Sequence, residues 1–156
     1  MNRLQNLVAY ICFAYPFKLE LSKARITKLV YLADWFSSLL DERQMTNISW
    51  VFNHYGPYVE DVVDSVRNTR EFSISSHENY FGSEKYVVAF QGNPANISIS
   101  SRDREILDAV IEKTKGMYFK SFIDYVYSTY PVTSSDRYST FNLVSLAQEY
   151  KRNPQG

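Results

Sequence analysis

Cysteine is almost missing from this sequence: Cys12 is the only one in 156 residues. A single thiol forms no intramolecular disulfide, which suits a reducing cytosol, so a cytoplasmic location is expected. The only histidines are His54 and His77, so a Cys/His zinc site has too few ligands. An excess of one charge is missing too. Lys plus Arg number 17 and Asp plus Glu number 17, whereas a general nucleic-acid binder carries a basic surplus. No apolar run approaches the roughly 20 residues that span a bilayer. The apolar stretch near the start puts Leu4, Leu7, Val8, Ile11 and Ala14 on one helical stripe, and no small-x-small cleavage site follows it. A soluble first helix and no membrane partner are expected, and the sequons at Asn47 and Asn96 then carry no meaning. The P-loop, the dinucleotide glycine pattern, HExxH and the nucleophile elbow are all absent. No cofactor, no metal and no small-molecule substrate are expected.

Aromatic residues, by contrast, are plentiful: 16% of the chain, with 13 Tyr and 10 Phe. Tyr pairs a large apolar body with a polar tip and is enriched at interfaces. Composition alone does not say whether these rings fill the core or face a partner. The length fits one domain, taken as residues 1–150 with a frayed tail at 151–156. A chain of this size buries about 70% of its unfolded surface and needs no staples.

Periodicity and punctuation give a mainly helical α+β fold. The first helix ends near Tyr15, before Pro16. Ser22 is the expected N-cap of a long central helix reaching about Leu40. Its apolar set is Ile26, Leu29, Val30, Ala33, Phe36 and Leu40, flanked by Leu32 and Leu39. So wide a stripe predicts a helix covered on more than one side. "ISWVF" reads as a short strand, with Trp50 and Phe52 on one face and Val51 on the other. "EFSISS" and "EKYVVAFQ" read as an inserted hairpin around the loop "HENYFGS". Ser100 and Asp103 precede a helix bearing Ile106, Leu107, Val110 and Ile111, closed by Gly116. A further helix with Phe119, Phe122, Ile123, Val126 and Tyr130 is expected to stop at Pro131. The stretch "PVTSSDRYST" is expected to be a loop, followed by a short last helix with Leu143, Val144 and Ala147.

Between strand and hairpin stands "FNHYGPYVEDV", residues 52–62. Gly56 tolerates unusual backbone angles, and Pro57 suits the first helical position. Val59, Val62, Val63 and Val66 recur at helical spacing, with Glu60 and Asp61 near the positive end of the helix dipole. The reading is a strand, a tight turn and an amphipathic helix to about Asn68.

Two stretches carry a family resemblance. "ITKLVYLADWF" followed by "SWVFNHYGPYVEDVV" resembles the Panacea domain, also called the SocA-like or phage-associated family. The positions that match its motifs are Lys28, Leu29, Tyr31, Leu32, Trp50, Tyr55, Gly56, Pro57 and Val59. Tyr58 departs from them, because the family often continues there directly with Val. The likeness spans roughly residues 3–130 and is specific over 25–66; "SSRDREILDAVIEKT" and "YPV" match more loosely. The resemblance implies an antitoxin, often of prophages or mobile elements, that neutralises the toxin of a neighbouring gene by direct binding.

The residues themselves offer means of recognition and little means of chemistry. The expected contact surface is an aromatic ridge of Trp50, His54, Tyr55, Gly56, Pro57 and Tyr58, helped by Lys23, Arg25 and Lys28 at the basic start of the central helix. Each has a plainer reading: a helix-start turn with packed rings, and a charged outer face on which the Lys28 stem packs. A Cys12–His54 catalytic pair needs the two within hydrogen-bond reach, whereas a buried cysteine is inert. Glu60, Asp61 and Asp64 read as the solvated face opposite the valines. The rival function is a winged-helix-like transcription regulator reading DNA with residues 57–68. That segment carries Glu60, Asp61 and Asp64 against Arg67 alone, which phosphates would repel. Nucleic acid is therefore disfavoured, and self-association stays open.

Overall fold

Ser22 holds an extended conformation and its Oγ accepts the Arg25 backbone N–H at 3.1 Å, which starts the central helix α2 (Lys23–Asp41) where a capping residue should. A computed structural model describes residues 1–78 and 82–153. In it 13 of the 19 residues of α2 are buried, so the helix is covered nearly all round rather than along one stripe. Leu40 departs from the expected apolar set: it lies at the last turn and is 59% exposed. Around α2 pack α1 (Arg3–Ala14), α3 (Asp61–Val66), α4 (Ser101–Thr114), α5 (Phe119–Tyr127) and α7 (Leu143–Arg152). The start of α1 is fixed by a reciprocal capping box between Asn2 and Gln5. Ser100 caps α4 by accepting the Asp103 N–H. The arrangement is mainly helical α+β, with two small antiparallel sheets among the described residues.

The first sheet pairs β1 (Val51–Asn53) with β2 (Gly56–Tyr58). Here the expected helix start is corrected: Pro57 lies in a strand opposite Phe52, and the helix begins only at Asp61. The reason is the direction of the Phe52 backbone. Its N–H donates to Ser139 O and its C=O accepts from Tyr138 N, so both groups face away from β2. Residue 57 therefore sits where the ladder asks for no N–H, and proline is tolerated. Phe141 N donates to Trp50 O, and Val51 bridges Thr140. Residues 139–141, entered through a turn at Tyr138, thus flank β1 as a third segment.

The second sheet is the expected hairpin, β3 (Phe72–Glu78) against β4 (Glu84–Phe90), in register from Phe72↔Phe90 to Glu78↔Glu84. Of the expected loop, His77 and Glu78 belong to β3, while residues 79–81 lie outside the described residues. Two further corrections fall near the end of the chain. Pro131 does not end a helix: α5 stops at Tyr127, and a short helix α6 (Tyr130–Ser134) takes Pro131 into its first turn, where a missing N–H costs nothing. Part of the expected loop is therefore helical. The last helix runs through Lys151 and Arg152, and Lys151 Nζ donates to Leu39 O at 3.1 Å; the rest of the expected frayed tail, from residue 154, is outside the described residues.

Candidate protein-binding surface

A charged residue in a helix buried all round needs donors, and Asp34 finds them in the connector after α2. Its Oδ1 accepts Thr46 N at 2.8 Å, and its Oδ2 accepts Thr46 Oγ1 at 2.5 Å and Trp50 Nε1 at 2.8 Å. Burial still outweighs these bonds and pushes the Asp34 carboxyl up to about 6. Trp50 is 0% exposed and meets the Tyr31 ring edge-on at 5.6 Å. Trp50 therefore leaves the expected contact surface: its ring anchors the base of the β1–β2 hairpin to α2.

The other end of that hairpin faces outward. Asn53 Oδ1 accepts Tyr55 N at 2.8 Å, which tightens the turn through His54 and Tyr55. Gly56 closes it with φ +84°, and a Cβ there would stand 2.4 Å from Tyr127 Cε1. Only glycine satisfies both demands. Gly56 and Pro57 are buried, so they shape the ridge without being contacts. Tyr55 is 71% exposed and His54 is exposed beside it. Tyr138, 62% exposed, packs edge-on against His54 at 5.2 Å, with its hydroxyl 2.8 Å from Nε2 and 3.0 Å from Nδ1. Tyr138 also holds φ +71°, a conformation a bulky residue adopts only under constraint. The constraint is its own N–H bonded to Phe52 O.

Tyr58 is half-buried and donates its hydroxyl to the Glu60 carboxylate. That bond, more than burial, pushes the phenol up to about 12. Beneath it lies Lys28, only 2% exposed, with Nζ 5.9 Å from the Tyr58 ring centroid. Among the described residues no carboxylate pairs with Lys28, and burial brings its ammonium down to about 8. Arg25 is likewise internal: Nη1 donates to Tyr15 Oη at 3.0 Å and Met117 O at 3.1 Å, and the guanidinium lies over Phe122. The expected basic docking face is corrected accordingly. Arg25 and Lys28 are core residues, and only Lys23 is at the surface, over the Tyr86 ring at 4.6 Å.

The structure does not bring Cys12 and His54 together. Cys12 is buried against Val88 O and its thiol is pushed up to about 12 by burial, whereas His54 pairs with Tyr138. Val62, Val63 and Val66 are buried, and Glu60, Asp61 and Asp64 are exposed, as an amphipathic helix requires. Among the described residues no group of three or more His, Cys, Asp or Glu converges as a metal site, and no helix is long and apolar enough to cross a membrane.

Sequence reasoning missed Asp34 and Tyr138. For Asp34 a signal existed: a carboxylate amid the wide apolar set of α2 demands a donor, and Trp50 is one of few buried N–H side chains available. For Tyr138 the only signal was a lone ring in a Ser/Asp-rich stretch.

A helix covered nearly all round thus holds the base of a short hairpin, and the hairpin's free tip carries exposed aromatic rings. The comparison with protein families gives it a place: the model of the antitoxin SocA-like, Panacea domain matches residues 26–131, and the chain belongs to that family. The matched stretch runs from α2 to the start of α6 and contains the hairpin; Tyr138 lies beyond it. No curated protein and no solved structure matches the chain.

Proposed function

We propose that this chain neutralises a cognate protein toxin, the product of a neighbouring gene in a prophage or mobile element, by binding it directly in the cytoplasm. The contact centres on Tyr55, His54 and Tyr138, with Tyr58 at its inner margin. The observation that carries this reading is the exposure of Tyr55 at the tip of a hairpin whose base is pinned to the core. The His54 and Tyr138 rings beside it are held against each other, so they lose little conformational freedom on binding, and Tyr has only two side-chain torsions to fix. Membership of an antitoxin family supports the partner class. On this reading the chain acts by occupying the toxin's surface and turns over no small molecule, and His54 orients Tyr138 rather than a substrate.

The transcription-regulator reading has less support. The helix assigned to DNA is six residues long, Asp61–Val66, and its outer side carries Glu60, Asp61 and Asp64. The test is co-expression with the neighbouring gene. Tyr55→Ala should abolish rescue and co-purification of the toxin, while Cys12→Ala should keep both. Rescue by a chain that never associates with the toxin would refute direct neutralisation.

A further inference from the structure

The β3–β4 hairpin has one free edge. Gln91 N donates to Glu71 O, so the ladder parity directs the N–H and C=O of residues 73, 75 and 77 toward β4. The same groups of Ile74 and Ser76 then point outward. The outer side of β4 is already used: Val88 N donates to Leu21 O and Val87 bridges Ser22. The outer side of β3 meets no other strand among the described residues. An open groove of about 520 Å³ runs along the hairpin here, walled by Val66 at the end of α3 and residues 67–69 after it, by Phe72–Ile74 of β3, by Tyr86 of β4 and by Lys23. The only charged side chains in that wall are Lys23 and Arg67; Arg67 also stands 3.7 Å from the Asp64 carboxylate in an exposed pair, which solvent screens and an incoming carboxylate can replace. Apolar floor is supplied by Val66, Phe72 and Ile74.

We propose that this edge takes an extended, acidic peptide segment of a partner protein as an added strand on β3. The outward amides of Ile74 and Ser76 supply the ladder, and alternate side chains of the segment enter the groove. Lys23 and Arg67 select carboxylates at those positions. An unpaired edge is a liability that proteins cover or blunt, and a second copy of this chain suits it poorly, because its groove would bring the same two cations. The proposal does not rest on the toxin reading, since the tip of β1–β2 and the edge of β3 are different elements.

The probe is a phage-displayed library of random eight-residue peptides, selected on the full chain, with the strongest clone made as a capped synthetic peptide. Selected peptides should be rich in Asp or Glu alternating with apolar residues, and binding should weaken as salt rises. Bound peptide should slow amide exchange at Ile74 and Ser76. Ser76→Pro removes an outward N–H that the β3–β4 ladder does not use, so its Tm should stay near the parent's while binding falls at least tenfold. Lys23→Glu with Arg67→Glu should lose the acidic peptides. Tyr55→Ala should leave this binding unchanged, which separates failure here from failure of the toxin reading. The proposal is overturned if no peptide is enriched, if enriched peptides are neutral or basic, if protection falls elsewhere, or if the edge proves to hold a second copy, seen as a dimer that Ser76→Pro dissociates.

Discussion

The β1–β2 hairpin has two ends that share a sequence style and differ in fate. At its base Trp50 is 0% exposed and bonded to Asp34; at its tip Tyr55 is 71% exposed. Both ends are aromatic, so ring content says nothing about role. What separates them is whether a buried partner claims the polar atom. The indole N–H is held by a carboxylate inside the fold, whereas the Tyr55 side chain has no such claim on it. The base is thus the part that stability measurements should feel, and the tip the part that binding measurements should feel.

Breaking the base should have the largest effect. Asp34→Ala strips acceptors from Trp50 Nε1 and from both Thr46 donors, and each stranded buried donor costs about 1–3 kcal/mol. A loss of at least roughly 3 kcal/mol in urea unfolding follows. A pH series sharpens the same point. The Asp34 pKa stands above its unfolded value, so the fold holds this proton more tightly than the unfolded chain does. The resulting stability is fully present below about pH 4 and fades as pH rises through about 6. The difference between parent and Asp34→Asn should therefore shift by on the order of 2–3 kcal/mol across that window, since one pKa unit is about 1.4 kcal/mol.

Lys28 gives a smaller effect of opposite sign. Its lowered pKa means the fold binds this proton less tightly than the unfolded chain, so its penalty is fully present below about pH 8 and is relieved as pH rises toward the ordinary lysine value near 10.5. Lys28→Met keeps the stem and removes the charge. It should stabilise the chain by about 1–3 kcal/mol at neutral pH, with the gain shrinking at alkaline pH. The smallest stability effect belongs to the tip: Tyr55→Ala should change unfolding free energy by no more than about 0.5 kcal/mol, as exposed sites usually do.

The same contrast explains what was legible in the sequence. The long helix could be read because Ser22 caps it locally and its wide apolar set has one physical meaning. The α3 valines and the β3–β4 hairpin were legible for the same reason: period and punctuation are local. Pro57 was misread because Gly-Pro opens a helix and closes a turn equally well. What decides is the pairing of Phe52 with Tyr138 and Ser139, far away along the chain. Arg25 and Lys28 were misread because a basic run looks like a solvated face until Phe122 and Tyr58 cover it. Five of the nine residues of the expected contact surface (Trp50, Gly56, Pro57, Arg25 and Lys28) are therefore scaffold, and Tyr138 joins the exposed rings from a stretch without periodicity.

The most direct test is the affinity of the purified chain for the proposed toxin partner, the protein encoded by the neighbouring gene, measured by calorimetry for the parent and for Tyr55→Ala combined with Tyr138→Ala. The folded double variant should bind about 30-fold more weakly or worse, equivalent to a hot-spot loss of about 2 kcal/mol. Parental affinity in a folded double variant would contradict it.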